Sequence, residues 1–416
     1  MAPNANPPQI QFPGGDSLVK EILYEGHYYD VTKFIKKHPG GSIIEYYVEH
    51  GQDATHAVQQ FHQRFSDKVR VILQSFTKRP ATDIQVVLGA EKLKRHRALT
   101  EDFKTLYLEL EKEGMFKPSY VHNIYRILEF MAIGYLGYLL LFSESYPIKF
   151  LGCLLLALAQ GRTGWMMHEA GHFSLTGIPR VDRVLHAIIC GVGAGMSSSC
   201  WAKGHNRHHA MPQRLHRDID LDTLPLIAYN VAIVGEREKG SFLLRNQIYF
   251  YLTIDTLLGA LGWQLYLHPK HVIKHRHYLQ AISLLGHYYL LLYHCGFFPW
   301  LISTWALSII MFVNFGLSHT FLPLSEEITH WVEYSLLHTA DVEQRPWCDW
   351  WMGYLNYQIE HHLFPTMPHF RQPQIKDRVR ALAAKHGLQY YVFSYKEALK
   401  RLFQNLRDVS QQLKES

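Results

Sequence analysis

Between residues 278 and 325 the chain carries no Asp, Glu, Lys or Arg. So long an apolar run exceeds the roughly 20 residues that cross a bilayer once. Gly296 and Pro299 interrupt it, so it reads as two spans joined by a tight turn. Two shorter uncharged runs come earlier, at residues 130–143 and 150–161, with Pro147 between them. Each is short of a full span and must borrow polar ends, Arg126 and Glu129 among them. Lipid satisfies no backbone polar group, so such spans are helices. About four transmembrane helices are expected. Lys and Arg orient them. The turns near residues 144–149 and 296–299 are poor in Lys and Arg, whereas the N-terminal part, residues 168–277 and residues 326–416 hold most of these residues. The positive-inside rule puts both chain ends and the central segment on the cytosolic side. Residues 184–196 and 249–267 are apolar but flanked by polar clusters, and read as interfacial helices.

Histidine is the second signal. Gln358, His361 and His362 stand at i, i+3 and i+4 in QIEHH, and share one face of a helix. His205, His208 and His209 repeat the spacing in HNRHH, and His168 and His172 form an i, i+4 pair in HEAGH. Imidazoles grouped in this way are metal ligands in kind, and iron, zinc and copper all accept them. His168 and His172 fall where the second span leaves the membrane, and His319 falls at the equivalent end of the fourth. Cytosolic segments folding back over these ends would bring the clusters together. Asp218, Asp220 and Asp222 follow the second cluster. They either orient ligand imidazoles or form a solvated acidic stretch, and the two readings weigh equally. Glu169 and Glu360 are expected beside ligands rather than among them. His268, His271, His275, His277, His287 and His294 are expected to be packed or interfacial. Trp347, Trp350 and Trp351 suggest an interfacial aromatic belt.

Near the N-terminus a turn and strand at residues 24–31 lead to His38-Pro39-Gly40-Gly41, then Asp53-Ala54-Thr55, Phe61 and His62. Proline and two glycines make a tight turn that lets a flat group approach the backbone.

These residues carry two resemblances. HPGG with the downstream histidine resembles the cytochrome b5 haem domain, whose two axial ligands fall on His38 and His62. The three histidine clusters resemble the boxes of the membrane fatty acid desaturases, and the Gln that opens QIEHH marks their front-end subgroup. The resemblance runs from about residue 16 onward. It implies a multi-domain chain: a small α+β cytochrome b5-like domain fused to an all-α integral membrane desaturase with a cytosolic helical cap. The expected boundaries are a disordered tail at 1–15, the haem domain at 16–85, a linker and membrane-surface helix at 86–120, and the desaturase at 121–416.

The resemblance also implies the cofactors: haem b on His38 and His62, and two irons on His168, His172, His205, His208, His209, His319, His361 and His362. O2 is the co-substrate. Gln358 is assigned a catalytic part beside the metals rather than on them, because an amide is a weak iron ligand. Phe315 stands where the wider fold can place an Asn one turn before His319, and Asn314 is offset by one, which argues against a water ligand held from there. The implied reaction inserts a cis double bond between an existing one and the carboxyl end of a polyunsaturated acyl chain, of delta-5 or delta-6 type. The substrate is an unsaturated acyl-CoA or acyl-phospholipid in the bilayer. Electrons come from a separate NADH-cytochrome b5 reductase, since no dinucleotide fingerprint stands out. The expected location is the endoplasmic reticulum membrane, with haem and irons facing the cytosol; the oligomeric state stays open. A sphingoid-base desaturase, a lipid hydroxylase and a membrane haem electron carrier are the alternatives.

Bulk properties agree. A net charge of +6 suits an anionic membrane surface, and no basic-aromatic module points to nucleic acid. The five cysteines form no disulfide or zinc spacing. The opening residues lack a basic and apolar leader, so no signal peptide is expected.

Overall fold

The computed structural model describes residues 19–49, 52–82, 84, 88–324 and 329–415. The expected disordered tail at 1–15 lies outside them. The chain divides into two compact units. One runs to Thr100 and takes in a short segment ending at Trp331; the other holds the rest from Glu101 onward.

The first unit is built on strands β1 (Glu21–Tyr24), β2 (His27–Asp30) and β3 (Lys78–Pro80), antiparallel in that order. Glu25 and Gly26, both at positive φ, join the first pair, as a tight two-residue hairpin requires. Helices α1 (Glu45–Glu49), α2 (Thr55–Phe61) and α3 (Ser66–Gln74) follow. Ile22, Leu23, Tyr28, Val31, Tyr46 and Ala57 are among its buried residues. The division into units falls inside helix α4 (Ala90–Lys112).

The second unit is nearly all helix. Helices α5 (Tyr120–Leu140) and α6 (Tyr146–Gly171) form a hairpin. A Cβ on Gly137 would lie 2.9 Å from the Gly152 carbonyl, and one on Gly152 would lie 2.7 Å from the Gly137 carbonyl. Glycine is therefore what lets the two backbones touch. Charges inside the hairpin are matched across it: Arg126 pairs with Glu169, and Arg162 with Glu129 at 2.7 Å. Both arginines are buried, where an unpaired charge would be prohibitive. Helix α7 (Pro179–Ile188) bends through a π-turn toward α8 (Ser198–Ala210). Helix α9 (Tyr278–Tyr288) also ends in a π-turn, and α10 (Phe297–Gly316) packs along α6. Beyond α10 come β4 (Asp341–Val342), α11 (Pro346–Trp351), α12 (Gln358–Leu363), α13 (Gln372–Lys385), β5 (Val392–Phe393) and α14 (Tyr395–Glu415). Strand β4 pairs in parallel with β5. Ala398, Leu402 and Leu406 of α14 pack on Phe312, Val313 and Leu317.

By length and apolarity alone, α10 is the one described helix that qualifies as a span, and α7 with α8 qualifies only as a pair bent by 105°. The expected four are not reached on that measure. The reason is physical: α5 and α6 carry the ion pairs just described, and a π-turn interrupts α9. Their outer faces are nevertheless apolar, with Val121, Leu128, Tyr135, Leu151, Ile282 and Leu285 exposed. Patches of this size call for lipid or a partner.

Candidate metal centre

The eight histidines read as ligands come from four segments of the second unit. His168 stands in the last turn of α6 and His172 caps it. Ser197 starts α8 by accepting from the Cys200 amide, and His205, His208 and His209 occupy its last two turns. His319 follows α10. His361 and His362 lie on α12, whose start is fixed by Asp341 Oδ1 accepting from the Ile359 amide at 3.0 Å.

The ring nitrogens gather in two groups. His168, His172, His205, His209 and His361 form one; His208, His319 and His362 form the other. The groups adjoin, with His209 stacked on His362 at 4.2 Å between ring centroids. In the larger group, Nε2 of His205 is 2.9 Å from that of His172 and 3.0 Å from that of His209. Such facing nitrogens fit a shared ion: imidazole–metal bonds of about 2.1 Å give an octahedral edge of roughly 3 Å. Nε2 of His361 and Nδ1 of His362 are buried without a hydrogen-bond partner. Burial, then the neighbouring imidazoles, hold His361 and His362 well below the usual range, which keeps them neutral and able to ligate.

Four of the rings are tied outward through Nδ1. His319 Nδ1 donates to the His338 carbonyl at 2.9 Å. His168 Nδ1 meets His369 Nε2 at 3.1 Å, and His361 Nδ1 meets the Gln372 amide at 3.4 Å. His208 Nδ1 faces both oxygens of Asp218 at 3.0 and 3.1 Å, and Asp220 at 3.3 Å. Burial opposes charge on His208, but the two aspartates outweigh it and raise the ring to about 9. Of the two readings left open for the acidic stretch, Asp218 follows the first. Asp222 merely closes a short turn after it. Gln358 lies beside the His319 ring, on the side of the smaller group.

The glutamates stand one step out, as expected. Glu169 accepts from the His369 amide at 2.9 Å and pairs with Arg126. Glu360 and Asp341 share the Tyr390 hydroxyl, each at 2.8 Å. Burial and then Asp341 push Glu360 well up, so this pair holds a proton. Asn314 is engaged elsewhere: Oδ1 accepts from Trp351 and Tyr395, and Nδ2 donates to the Ile310 carbonyl. Trp347 and Trp350 are exposed, and the ring N–H groups of Trp350 and Trp351 donate to Glu129 and Asn314. His268 is packed, accepting from the Ser197 amide. Sequence reasoning missed His369, Gln372 and the Asp341–Tyr390 pair. They stand in no box, and only the fold brings them to the boxes.

In the first unit His38 and His62 face each other with ring centroids 6.1 Å apart. Two imidazoles on opposite sides of one iron, bonded at about 2 Å, stand roughly this far apart. Each Nδ1 is held by a carbonyl, of Gly41 at 3.2 Å and of Val58 at 2.9 Å, so each Nε2 is left for a metal. Burial lowers both rings. A Cβ on Gly40 would lie 2.8 Å from His38 Cε1, and Gly41 has φ +70, which accounts for both glycines. The pair fits a haem iron.

Comparison with known proteins finds a match for each part. The family profile for fatty acid desaturase matches residues 145–394, and that for the cytochrome b5-like haem/steroid binding domain matches residues 20–136. The chain is 43% identical to an acyl-lipid (8-3)-desaturase of Rebecca salina, over 94% of this chain and 92% of that protein. It is 41% identical to one of a Thraustochytrium species, over 94% and 92%. To the fatty acid desaturase 2-like protein FADS2B of Mus musculus it is 27% identical, over 89% of this chain and 78% of that one.

Proposed function

Because the chain belongs to the fatty acid desaturase family and carries a cytochrome b5-like domain ahead of the desaturase part, we propose that it is a front-end desaturase of polyunsaturated acyl chains, of delta-5 or delta-6 type. The two relatives above 40% identity, both named acyl-lipid (8-3)-desaturases, make (8-3) activity the specific candidate. The observation that carries the reading is the convergence of eight imidazoles, seven buried and His205 partly so, into two adjoining groups, with Gln358 beside the smaller one.

The enzyme is an O2-dependent oxidoreductase whose cofactors are haem and a pair of irons. When bound, the irons would supply activation of O2, which is reduced to water as two hydrogens leave adjacent carbons, and the haem would supply the electrons singly. The residues divide that task. His38 and His62 hold haem b. His168, His172, His205, His209 and His361 hold one iron, and His208, His319 and His362 hold the other. Asp218 accepts the Nδ1 proton of His208 and keeps its Nε2 aimed inward. Gln358 offers an amide next to the smaller group without spending a coordination position. Burial of seven of the eight imidazoles limits water around them. The acyl substrate arrives from the bilayer as an acyl-CoA or acyl-phospholipid. A separate NADH-cytochrome b5 reductase delivers electrons, and the site faces the cytosol from the endoplasmic reticulum membrane.

Expression in yeast supplied with polyunsaturated acids, followed by location of the new double bond, tests this. A new bond on the carboxyl side of the existing ones is expected. Substrate recovered unchanged, from cells where the protein carries both haem and iron, would contradict it.

A further inference from the structure

One more imidazole is fixed at the edge of the larger group. His369 is fully buried and opens the turn that leads into α13. Its Nε2 lies 3.1 Å from His168 Nδ1. Its main-chain N–H donates to Glu169 Oε1 at 2.9 Å, and the other Glu169 oxygen pairs with Arg126 of α5. Thus the residue next to His168 in the chain anchors the backbone of the residue that touches the His168 ring. The proton positions follow. Nδ1 of His168 is occupied by this contact, so His168 can bind a metal only through Nε2. A neutral imidazole bound through Nε2 carries its proton on Nδ1. His168 therefore donates, His369 Nε2 accepts, and His369 keeps its own proton on Nδ1.

We propose that His369 is a positioning residue for the larger metal group: a neutral acceptor that fixes the tautomer and aim of His168, and is itself held by Glu169 and Arg126. This rests on reading His168 as an iron ligand. Carboxylates, carbonyls and waters are the usual partners of metal-bound imidazoles, and Asp218 plays that part for His208. A neutral imidazole fixes direction equally well but adds no negative charge. The two groups thus receive donors of unequal strength, the stronger at His208.

The test uses the full-length protein in three variants, with iron affinity, iron Mössbauer spectra and haem absorbance read on each. In His369→Phe, which keeps volume but not the acceptor, iron affinity is expected to fall 10- to 100-fold with haem unchanged. In His369→Gln, whose side-chain oxygen can accept from His168 Nδ1, affinity is expected to recover to within a few-fold of wild type. His361→Ala reports on the ligand reading itself. Full iron in His361→Ala would overturn that reading and this inference with it. Iron lost in His361→Ala but kept, with an unchanged spectrum, in His369→Phe would overturn this inference alone. Equal losses in His369→Phe and His369→Gln, at intact haem, would reduce His369 to packing and overturn it too. Should His369→Phe fail to fold, His369→Gln decides: near wild-type iron supports the role, and lost iron at intact haem refutes it.

Discussion

Asp218 is the most completely used carboxylate near the histidines. Besides facing His208 with both oxygens, it accepts from the amides of Gln213 at 2.7 Å and Asp220 at 2.9 Å. It is therefore locked before any metal arrives. Asp218→Asn is expected to lower metal affinity about 10- to 100-fold, whereas Asp220→Asn, whose side chain is half exposed, should change it little. Metal titration of both variants would check this, and equal losses would contradict the distinction. Gln358→His is expected to impair desaturation more than iron content, because histidine there can occupy a position otherwise left open. Iron per haem and product yield at matched expression measure it, and full activity with the same product would show that Gln358 has no special part. The ligand-type residues were legible because i, i+3, i+4 spacing is a property of one helix. Their partners were not. His369, Gln372 and Tyr390 reach the boxes through turns and a parallel strand pair, and no local period encodes that.

Helix contacts depend on the same distinction between local pattern and fold. The uncharged runs pointed to the α5–α6 hairpin, yet the glycine pair at its closest approach gave no local sign. Gly152→Val would drive a side chain into the Gly137 carbonyl and is expected to destabilise by about 1–3 kcal/mol, read as an earlier thermal transition. A wild-type transition would mean that the hairpin opens without cost. Span limits were read less well, since helices were judged by charge and their charges proved to be paired inside. Asp102 of α4 joins Lys385 at 2.8 Å and His386 at 2.7 Å near the end of α13. The hydrogen bond from Lys385 is the main cause that holds its carboxyl below the usual range. A depressed folded value means the contribution is complete above the unfolded value, near 3.8, and fades as pH falls through the folded one. Asp102→Asn should therefore be less stable than wild type at neutral pH, with the gap closing below about pH 4. A constant gap across an acid series of unfolding curves would contradict the assignment.

At the scale of the molecule, two separate metal chemistries sit in two separate units, and HPGG and the boxes announced both. His38→Ala or His62→Ala is expected to abolish the reduced haem absorbance while leaving iron content near wild type; haem retained in both variants would remove the axial assignment. From the charge asymmetry, residues 144–148 and 296–299 are expected to face the lumen. Glycosylation sites in lengthened loops there should be modified, while a modified C-terminal tail would reverse the topology. The imidazoles of the cap raise a last point. His205 turns Nε2 on Nε2 of His172 and of His209 at 2.9 and 3.0 Å, and Nε2 of His361 and Nδ1 of His362 have no hydrogen-bond partner among the described residues. Polypeptide alone leaves this interior unsatisfied, and buried polar atoms without partners are costly. Metal uptake is therefore expected to stabilise the newly made chain and slow its turnover. Pulse–chase half-lives with and without an iron chelator would show it, and equal half-lives would refute it. In a cell short of iron, the pool of this enzyme should then shrink through turnover, and restored iron would act only on chains synthesised afterwards.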